Sequence, residues 1–196
     1  MYLFKLLAKG DFHSEMEHNV QIARDLGVKI GENCRILGRV TFSTEPYLVE
    51  LGNNVIVTGG TQFITHDGSV LMGRGVEPNV VGHFGRIKIG NNCFIGEDSM
   101  FLPNVEIGEN CIVAARSLVI DSFPPDSVIM GNPAKVVFKT SMLIKMKLNS
   151  PNTIINSKYA YPYEEDIPKD IRKKMIIEQV GSLPLRKARK GNKNNK

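Results

Sequence analysis

No stretch of this chain approaches the roughly 20 consecutive apolar residues that a membrane-spanning helix needs. It does not open on a secretory signal either. MYLFKLLAKG has an apolar face but is short and runs at once into Asp11. Packing of that segment against the rest of the fold is the expectation, and peripheral contact with a membrane surface is left open. Cysteine is scarce, with three residues, Cys34, Cys93 and Cys111. Their positions in the pattern described below make them small hydrophobes rather than a disulfide or metal framework, which suits a reducing cytoplasm. Acid is missing from Ser182–Lys196, where Arg186, Lys187, Arg189, Lys190, Lys193 and Lys196 stand unbalanced. That tail accounts for the formal net charge of +5 and leaves the remainder near −1. It reads as a solubilising terminus, and no nucleic-acid role is assigned.

What the chain does have is a period that fits neither helix nor strand. Ile89, Ile95, Phe101, Ile107, Val113 and Val119 recur at every sixth position. Gly90, Gly96 and Gly108, with Ala114, follow the apolar residue, and Cys93, Ser99, Val105, Cys111 and Ser117 sit four places after it. A helix repeats near 3.6 and a strand at 2, so a six-residue period describes a short strand plus a tight turn. The same grammar occurs upstream in Ile30-Gly31, Cys34, Ile36 and Phe42, and in Leu51-Gly52, Val55, Val57, Thr61 and Phe63. The two upstream runs are offset by three residues, which implies a small insertion within Ser43–Glu50. Between Phe63 and Ile89 about twenty residues are extra. Three hexads make one triangular coil of 18 residues whose apolar side chains stack inward. Glycine permits a backbone that a Cβ would obstruct, and hydrogen bonds run between coils about 4.8 Å apart.

This pattern resembles the hexapeptide-repeat acyltransferases. The resemblance implies an all-β solenoid, a left-handed parallel β-helix, over roughly residues 28–138 with four to five coils. Residues 1–27 are expected to hold a capping helix. Its signals are the capping box Ser14-Glu15-Met16-Glu17, an apolar face of Met16, Val20 and Ala23, and Gly27 as a stop. Such a helix would cover the apolar open end of the solenoid. A long loop is expected at about 67–86. Residues 139–196 form a C-terminal extension with a second helix near 168–180, ahead of Gly181, and the basic tail; Lys145–Tyr163 reads as irregular.

A smooth coil offers no pocket, so the long insertion draws attention. FITHDG places His66 at its mouth, matching the catalytic histidine that O-acetyltransferases of this family carry. A neutral imidazole, ordinarily with a pKa near 6.5, can take a proton from an attacking sugar hydroxyl and return it to a departing thiolate. Asp67 is a candidate for orienting the ring, although Asp-Gly at a turn also serves the backbone. His83, in the same insertion, either contacts the acceptor or is a solvated loop residue. His13 and His18 read as structural or exposed. The family resemblance implies acetyl-CoA as co-substrate, bound in a cleft of a homotrimer. Gly96 and Ala115 match turn positions on the pantetheine arm, and FPPDSVIMGNPAKVVFK matches a closing segment in which Lys135 and Lys139 meet the phosphates. Where relatives have Thr-Lys after the final hexad this chain has Ile120-Asp121, so Arg116 is the substitute. Carbonic anhydrases of the same coil type hold zinc through a closely spaced histidine pair plus a third; His66 and His83 do not match that spacing, and no metal is expected.

The implied function is transfer of an acetyl group to a hydroxyl of a saccharide, in a ternary complex without a covalent enzyme intermediate. The entry to the repeats, a helix followed by LGVKIGENC, most resembles that of bacterial acetyltransferases working on capsular, lipopolysaccharide or related polysaccharides. N-acylation of an amino or nucleotide sugar, and a non-catalytic trimeric scaffold, stay open. A serine acceptor is disfavoured because no long helical N-terminal domain precedes the repeats here.

Overall fold

The computed structural model describes residues 12–153, 173–174, 176–178 and 183. The chain divides into two compact units, Met1–Leu143 and Ile144–Lys196. The first holds the repeats.

It begins with helix α1 (Phe12–Asp25). Ser14 therefore lies inside the helix and not at its cap, where the capping-box reading puts it. The expected face is buried, with Met16, Val20 and Ala23 turned inward. Gly27, at φ +104°, ends the helix: its amide donates to the Arg24 carbonyl at 2.9 Å and that of Val28 to Ala23 at 3.1 Å. Only a residue without a Cβ takes that φ at no steric cost. The helix also bonds carbonyls at the open edge of the first coil. Asn19 Nδ2 donates to the Ile36 carbonyl at 3.1 Å, and Arg24 Nη2 to that of Gly31 at 2.8 Å.

The coils follow. The first contains β1 (Lys29–Ile30) and β2 (Arg35–Ile36), and the second β3 (Val49–Leu51), β4 (Ile56–Val57) and β5 (Gln62–Phe63). After an arm built on β6 (His66–Asp67) and β7 (His83–Phe84), the third coil holds β8 (Ile87–Ile89), β9 (Phe94–Ile95) and β10 (Met100–Phe101). The fourth holds β11 (Val105–Ile107), β12 (Ile112–Val113) and β13 (Leu118–Val119). Corresponding strands pair in parallel and form three faces: β1-β3-β8-β11, then β2-β4-β9-β12, then β5-β10-β13. The architecture is a parallel β-solenoid, as the repeat implies.

Each hexad gives a two- or three-residue strand and a corner, with its apolar residue inward. Phe42, Phe63 and Phe101 stack along the third face with ring centroids 5.3 and 5.0 Å apart. Pairing of Ile30 with Leu51, Leu51 with Ile89 and Ile89 with Ile107 fixes the register. Against an 18-residue coil these pairs contain insertions of three and of twenty residues, as the sequence implies. A further shift, a deletion of two, escaped the sequence: Val113 pairs with Ile129.

The corner between the first and second faces is the most regular. Asn33, Asn54, Asn92, Asn110 and Asp126 all sit in the left-handed region, at φ 55° to 57°. Asparagine and aspartate tolerate that region better than other residues with a Cβ. The glycine two places earlier serves a different purpose. A Cβ on Gly90 would stand 2.8 Å from the amide nitrogen of Glu109 and the carbonyl carbon of Gly108, in the coil above. At the same corner Cys93 and Cys111 are buried, and their thiols donate to the carbonyls of Gly108 at 3.2 Å and Pro124 at 3.3 Å. All three cysteines are free.

The coil does not run on to the end of the repeat segment. β14 (Ser127–Gly131) still pairs in parallel with β12, but β15 (Ala134–Lys139) folds back antiparallel on β14 and covers the far edge of the second face. Helix α2 (Thr140–Leu148) comes next, where Lys145–Tyr163 reads as irregular from the sequence. Its start is pinned by Asp126, whose carboxylate accepts from the Ser141 amide and hydroxyl at 2.9 and 3.0 Å. The expected helix at 168–180 lies outside the described residues except for 173–174 and 176–178, which are helical; the basic tail lies outside them, as does most of the expected N-terminal segment before Phe12. Among the described residues no helix is long and apolar enough to cross a membrane.

Candidate functional site

Both insertions fall at the same corner, between the third and first faces. The three-residue insertion in the first coil becomes a single 3-10 turn, Pro46–Leu48, with proline in its first turn and the Leu48 amide donating to the Glu45 carbonyl at 3.0 Å. The twenty-residue insertion in the second coil leaves the same corner one level up. It is an arm and not a structureless loop. His66 pairs with Phe84 and Asp67 with His83 in an antiparallel ribbon, and Gly68–Gly75 forms a 3-10 helix.

This stacking brings together two residues 21 positions apart. His66 Nδ1 lies 2.8 Å from Glu45 Oε2. The Ser43 and Thr44 hydroxyls approach the same nitrogen at 3.2 and 3.4 Å. Glu45 is itself held on both oxygens: Thr44 Oγ1 donates to Oε1 at 2.6 Å and Thr65 Oγ1 to Oε2 at 2.8 Å. These bonds favour the anion. The Thr44 hydroxyl first, then Thr65 and His66, hold the Glu45 carboxyl at about 2, against an ordinary 4.5. An ionised carboxylate can only accept, so the proton of a neutral His66 ring resides on Nδ1 and Nε2 keeps its lone pair. His66 is 38% exposed and Glu45 16%, so the ring can be reached while its orienting group is sheltered.

Glu45 was not singled out from the sequence, where Asp67 is the candidate for orienting the ring. Asp67 instead accepts from the Ser69 amide at 2.8 Å and caps the 3-10 helix, and that contact lowers its pKa. The ribbon alternation accounts for the rest. Cross-strand neighbours share a side, so His66 faces Phe84, with ring centroids 6.2 Å apart, while Asp67 and His83 lie on the opposite side. His83 is therefore not brought to His66. Phe84, exposed beside the imidazole, is a second residue that the sequence reading passed over.

The residues proposed for the cofactor lie elsewhere. Gly96 is buried, and a Cβ there would collide with the Ala115 amide, so packing alone accounts for the glycine. Ala115 and Arg116 are exposed at the corner between the second and third faces, where Arg116, at φ +60°, pairs with Asp98 at 3.4 Å. Lys135 and Lys139 are exposed on β15, at the edge of the second face, with no carboxylate partner among the described residues. Two unpaired ammonium groups on one strand suit a polyanionic group, and the exposed Ala115 turn suits a narrow chain; Gly96 can offer it no side-chain surface. Within one chain these residues and His66 occupy different corners. Among the described residues no group of three His, Cys, Asp or Glu side chains is disposed to hold a metal.

Residues 86–121 match the family described as "Bacterial transferase hexapeptide (six repeats)". Protein CapG of Staphylococcus aureus is 48% identical over 116 residues, which cover 58% of this chain and 67% of CapG. The galactoside O-acetyltransferase of Escherichia coli K12 is 28% identical over 142 residues, covering 63% of this chain and 70% of that protein. A solved galactoside acetyltransferase in complex with coenzyme A superposes with a TM-score of 0.49 at 23% identity, over 72% of this chain and 80% of that one. The chain spans only 24% of the longer bifunctional GlmU proteins of Streptococcus thermophilus. With 48% identity across two thirds of CapG and the repeats themselves matched, this chain belongs to the hexapeptide-repeat bacterial transferases.

Proposed function

We propose that the protein is an acetyl-CoA-dependent O-acetyltransferase acting on a saccharide hydroxyl, with His66 as general base and Glu45 as its positioning residue. The single observation that carries the reading is the Glu45–His66 contact at the corner where both insertions meet. A scaffold has no use for a half-buried carboxylate that fixes one tautomer of a reachable imidazole. The acetyltransferase relatives support the class of reaction, and the coil is taken as left-handed by family resemblance.

Bound acetyl-CoA supplies an activated acyl thioester. The chain's own part is to bind, orient and move one proton. His66 Nε2 takes the proton of the acceptor hydroxyl as its oxygen bonds to the acyl carbon. Glu45, already ionised, stabilises the imidazolium that forms by accepting from Nδ1–H. The proton on Nε2 then passes to the sulfur as the carbon–sulfur bond breaks, leaving an ester, a thiol and a neutral histidine. Lys135 and Lys139 would hold the phosphates as point charges, with Ala115 and Arg116 along the arm. Because these groups and His66 lie at different corners of one chain, the reading requires a cleft between subunits, and a homotrimer supplies it. Free thiols and acetyl-CoA use suit a cytoplasmic setting.

The test is release of free thiol from acetyl-CoA in the presence of a panel of saccharides, with wild-type protein and His66→Ala. Saccharide-dependent release that the variant lacks supports the reading. Equal release by both variants overturns it, as does a preference for amino over hydroxyl acceptors.

A further inference from the structure

The outer side of the first face carries a column of alternating charge. Lys29 is in register with Glu50, Glu50 with Lys88 and Lys88 with Glu106, and the last two form an ion pair at 3.2 Å. Each lysine in that column thus faces a carboxylate on a neighbouring coil. Arg86 breaks the rule. It stands one residue before Ile87, which pairs with Val49 and Val105, so its neighbours across the coils are Leu48 and Asn104. Neither is acidic, and among the described residues Arg86 has no ion-pair partner.

This guanidinium lines a hollow of about 390 Å³ on the first face, walled by Tyr47 and Leu48 of the small insertion and by Arg86 at the foot of the arm. The hollow's lining has three cations, Lys29, Arg86 and Lys88, against two carboxylates, Glu50 and Glu106, a surplus of one positive charge. Both walls adjoin residues of the histidine site along the chain. Tyr47 is two residues from Glu45 in the same turn, and Arg86 is two residues from Phe84, whose ring neighbours that of His66. Tyr47, 62% exposed, offers an aromatic face of the kind on which the apolar side of a sugar ring rests.

We infer that this hollow is the acceptor subsite and that the acceptor is acidic: Arg86 grips a carboxylate or phosphate of the saccharide while Tyr47 supports its ring. The inference rests on the acetyltransferase reading and deepens it by naming the substrate class. A guanidinium presents two parallel N–H donors to the paired oxygens of either anion, so the two sources share one chemistry.

Calorimetric binding to the full chain tests it with three probes: methyl β-D-glucuronide, methyl β-D-glucoside and glucose 1-phosphate. The acidic probes should bind the wild type about 10- to 100-fold more tightly than the neutral one. In Arg86→Gln that ratio should collapse towards one. Arg86→Lys should give an intermediate ratio, because charge is kept and the paired donors are lost, and Arg39→Gln, on another corner, should leave the ratio intact. Whichever acidic probe binds more tightly identifies carboxylate or phosphate as the source. A wild type with no preference for either acidic probe overturns the inference, and so does a preference that survives in Arg86→Gln. The two readings fail separately. A His66→Ala variant that still transfers acetyl groups removes the catalytic assignment and leaves the Arg86-dependent binding ratio standing. A ratio independent of Arg86, with His66→Ala inactive, removes only the acidic acceptor.

Discussion

Two corners of the same solenoid are built from the same hexads and have opposite characters. At the corner between the first and second faces the second, third and fourth coils repeat one solution: a glycine where the coils touch, an asparagine in the left-handed region, and a small buried side chain. Amide side chains run up it as a ladder, with Asn54 Nδ2 donating to Asn92 Oδ1 at 3.0 Å and Asn92 Nδ2 to Asn110 Oδ1 at 3.2 Å. At the corner between the third and first faces both insertions are placed, and the side chains there bond to each other in ways that no other coil repeats. Repetition satisfies the backbone and leaves nothing to react. Interruption gives up a ladder position, and the freed residues can approach from two levels, as Glu45 and His66 do.

The sharpest way to break this contrast is His66→Ala. Loss of the base should lower acetyl transfer roughly 10²–10⁴-fold in a thiol-release assay, with acetyl-CoA affinity by calorimetry and melting temperature close to wild type. His83→Ala, on the other side of the ribbon, should retain activity. Equal losses in the two would point to a disturbed arm and not to a missing base.

Glu45→Gln should come next, at roughly 10–10³-fold in rate, because a neutral amide neither holds the Nδ1 proton nor stabilises the imidazolium. A second signature separates this from a loss of packing. With its folded pKa depressed to about 2 from 4.5, Glu45 contributes stability that is fully present above pH 4.5 and is lost as the pH falls through about 2. The melting-temperature gap between wild type and Glu45→Gln should therefore narrow as the pH falls from 4.5 towards 2. A gap unchanged down to pH 2 would mean that the carboxylate charge is not what stabilises the corner.

How much of the contrast is legible beforehand follows from periodicity. The regular corner announces itself, because Gly90, Asn92 and Cys93 recur as Gly108, Asn110 and Cys111, and a repeat is visible in one dimension. The offsets between runs locate the interruptions, and His66 stands out as a histidine at the mouth of the longer one. Glu45 does not. It lies in a stretch with no repeat, and its approach to His66 depends on which residues of a three-residue insertion turn inward, a matter of the 3-10 turn at Pro46–Leu48 and not of spacing. Asp67 is the nearer carboxylate in sequence, but the alternation of a strand directs it away from the ring. The antiparallel return of β15 is hidden for the same reason: Val136 and Phe138 look like another apolar hexad until the direction of the chain is known.

At the regular corner, effects should fall on stability alone. Gly90→Ala places a methyl group against backbone of the next coil, which cannot rotate away as a side chain would. A cost of about 1–3 kcal/mol is expected in urea melts, with the thiol-release rate of the folded protein unchanged. A rate loss comparable to that of Glu45→Gln would show that the two corners are mechanically coupled.

The smallest effect should come from the stacked thiols. Cys93 and Cys111 occupy equivalent places one coil apart, and the Cys111 amide donates to Cys93 Sγ at 3.4 Å. In the second coil the same place is taken by Val55, fully buried, so the position demands a small apolar filler and not a thiol. The neighbouring Cys111 thiol and then burial push the Cys93 pKa up, which argues against Cys93 as a nucleophile. Replacing either residue by alanine removes one heavy atom and a weak S–H donor, so each variant should lose about 1 kcal/mol in urea melts. Turnover should be unaffected, since the corner that holds the cysteines is not the one that holds His66. Replacement by valine, as the chain itself does at Val55, should cost less than alanine if volume is what matters. A thiol-free variant that folds normally and yet fails to transfer acetyl groups would reverse the assignment and place chemistry at the corner that repeats.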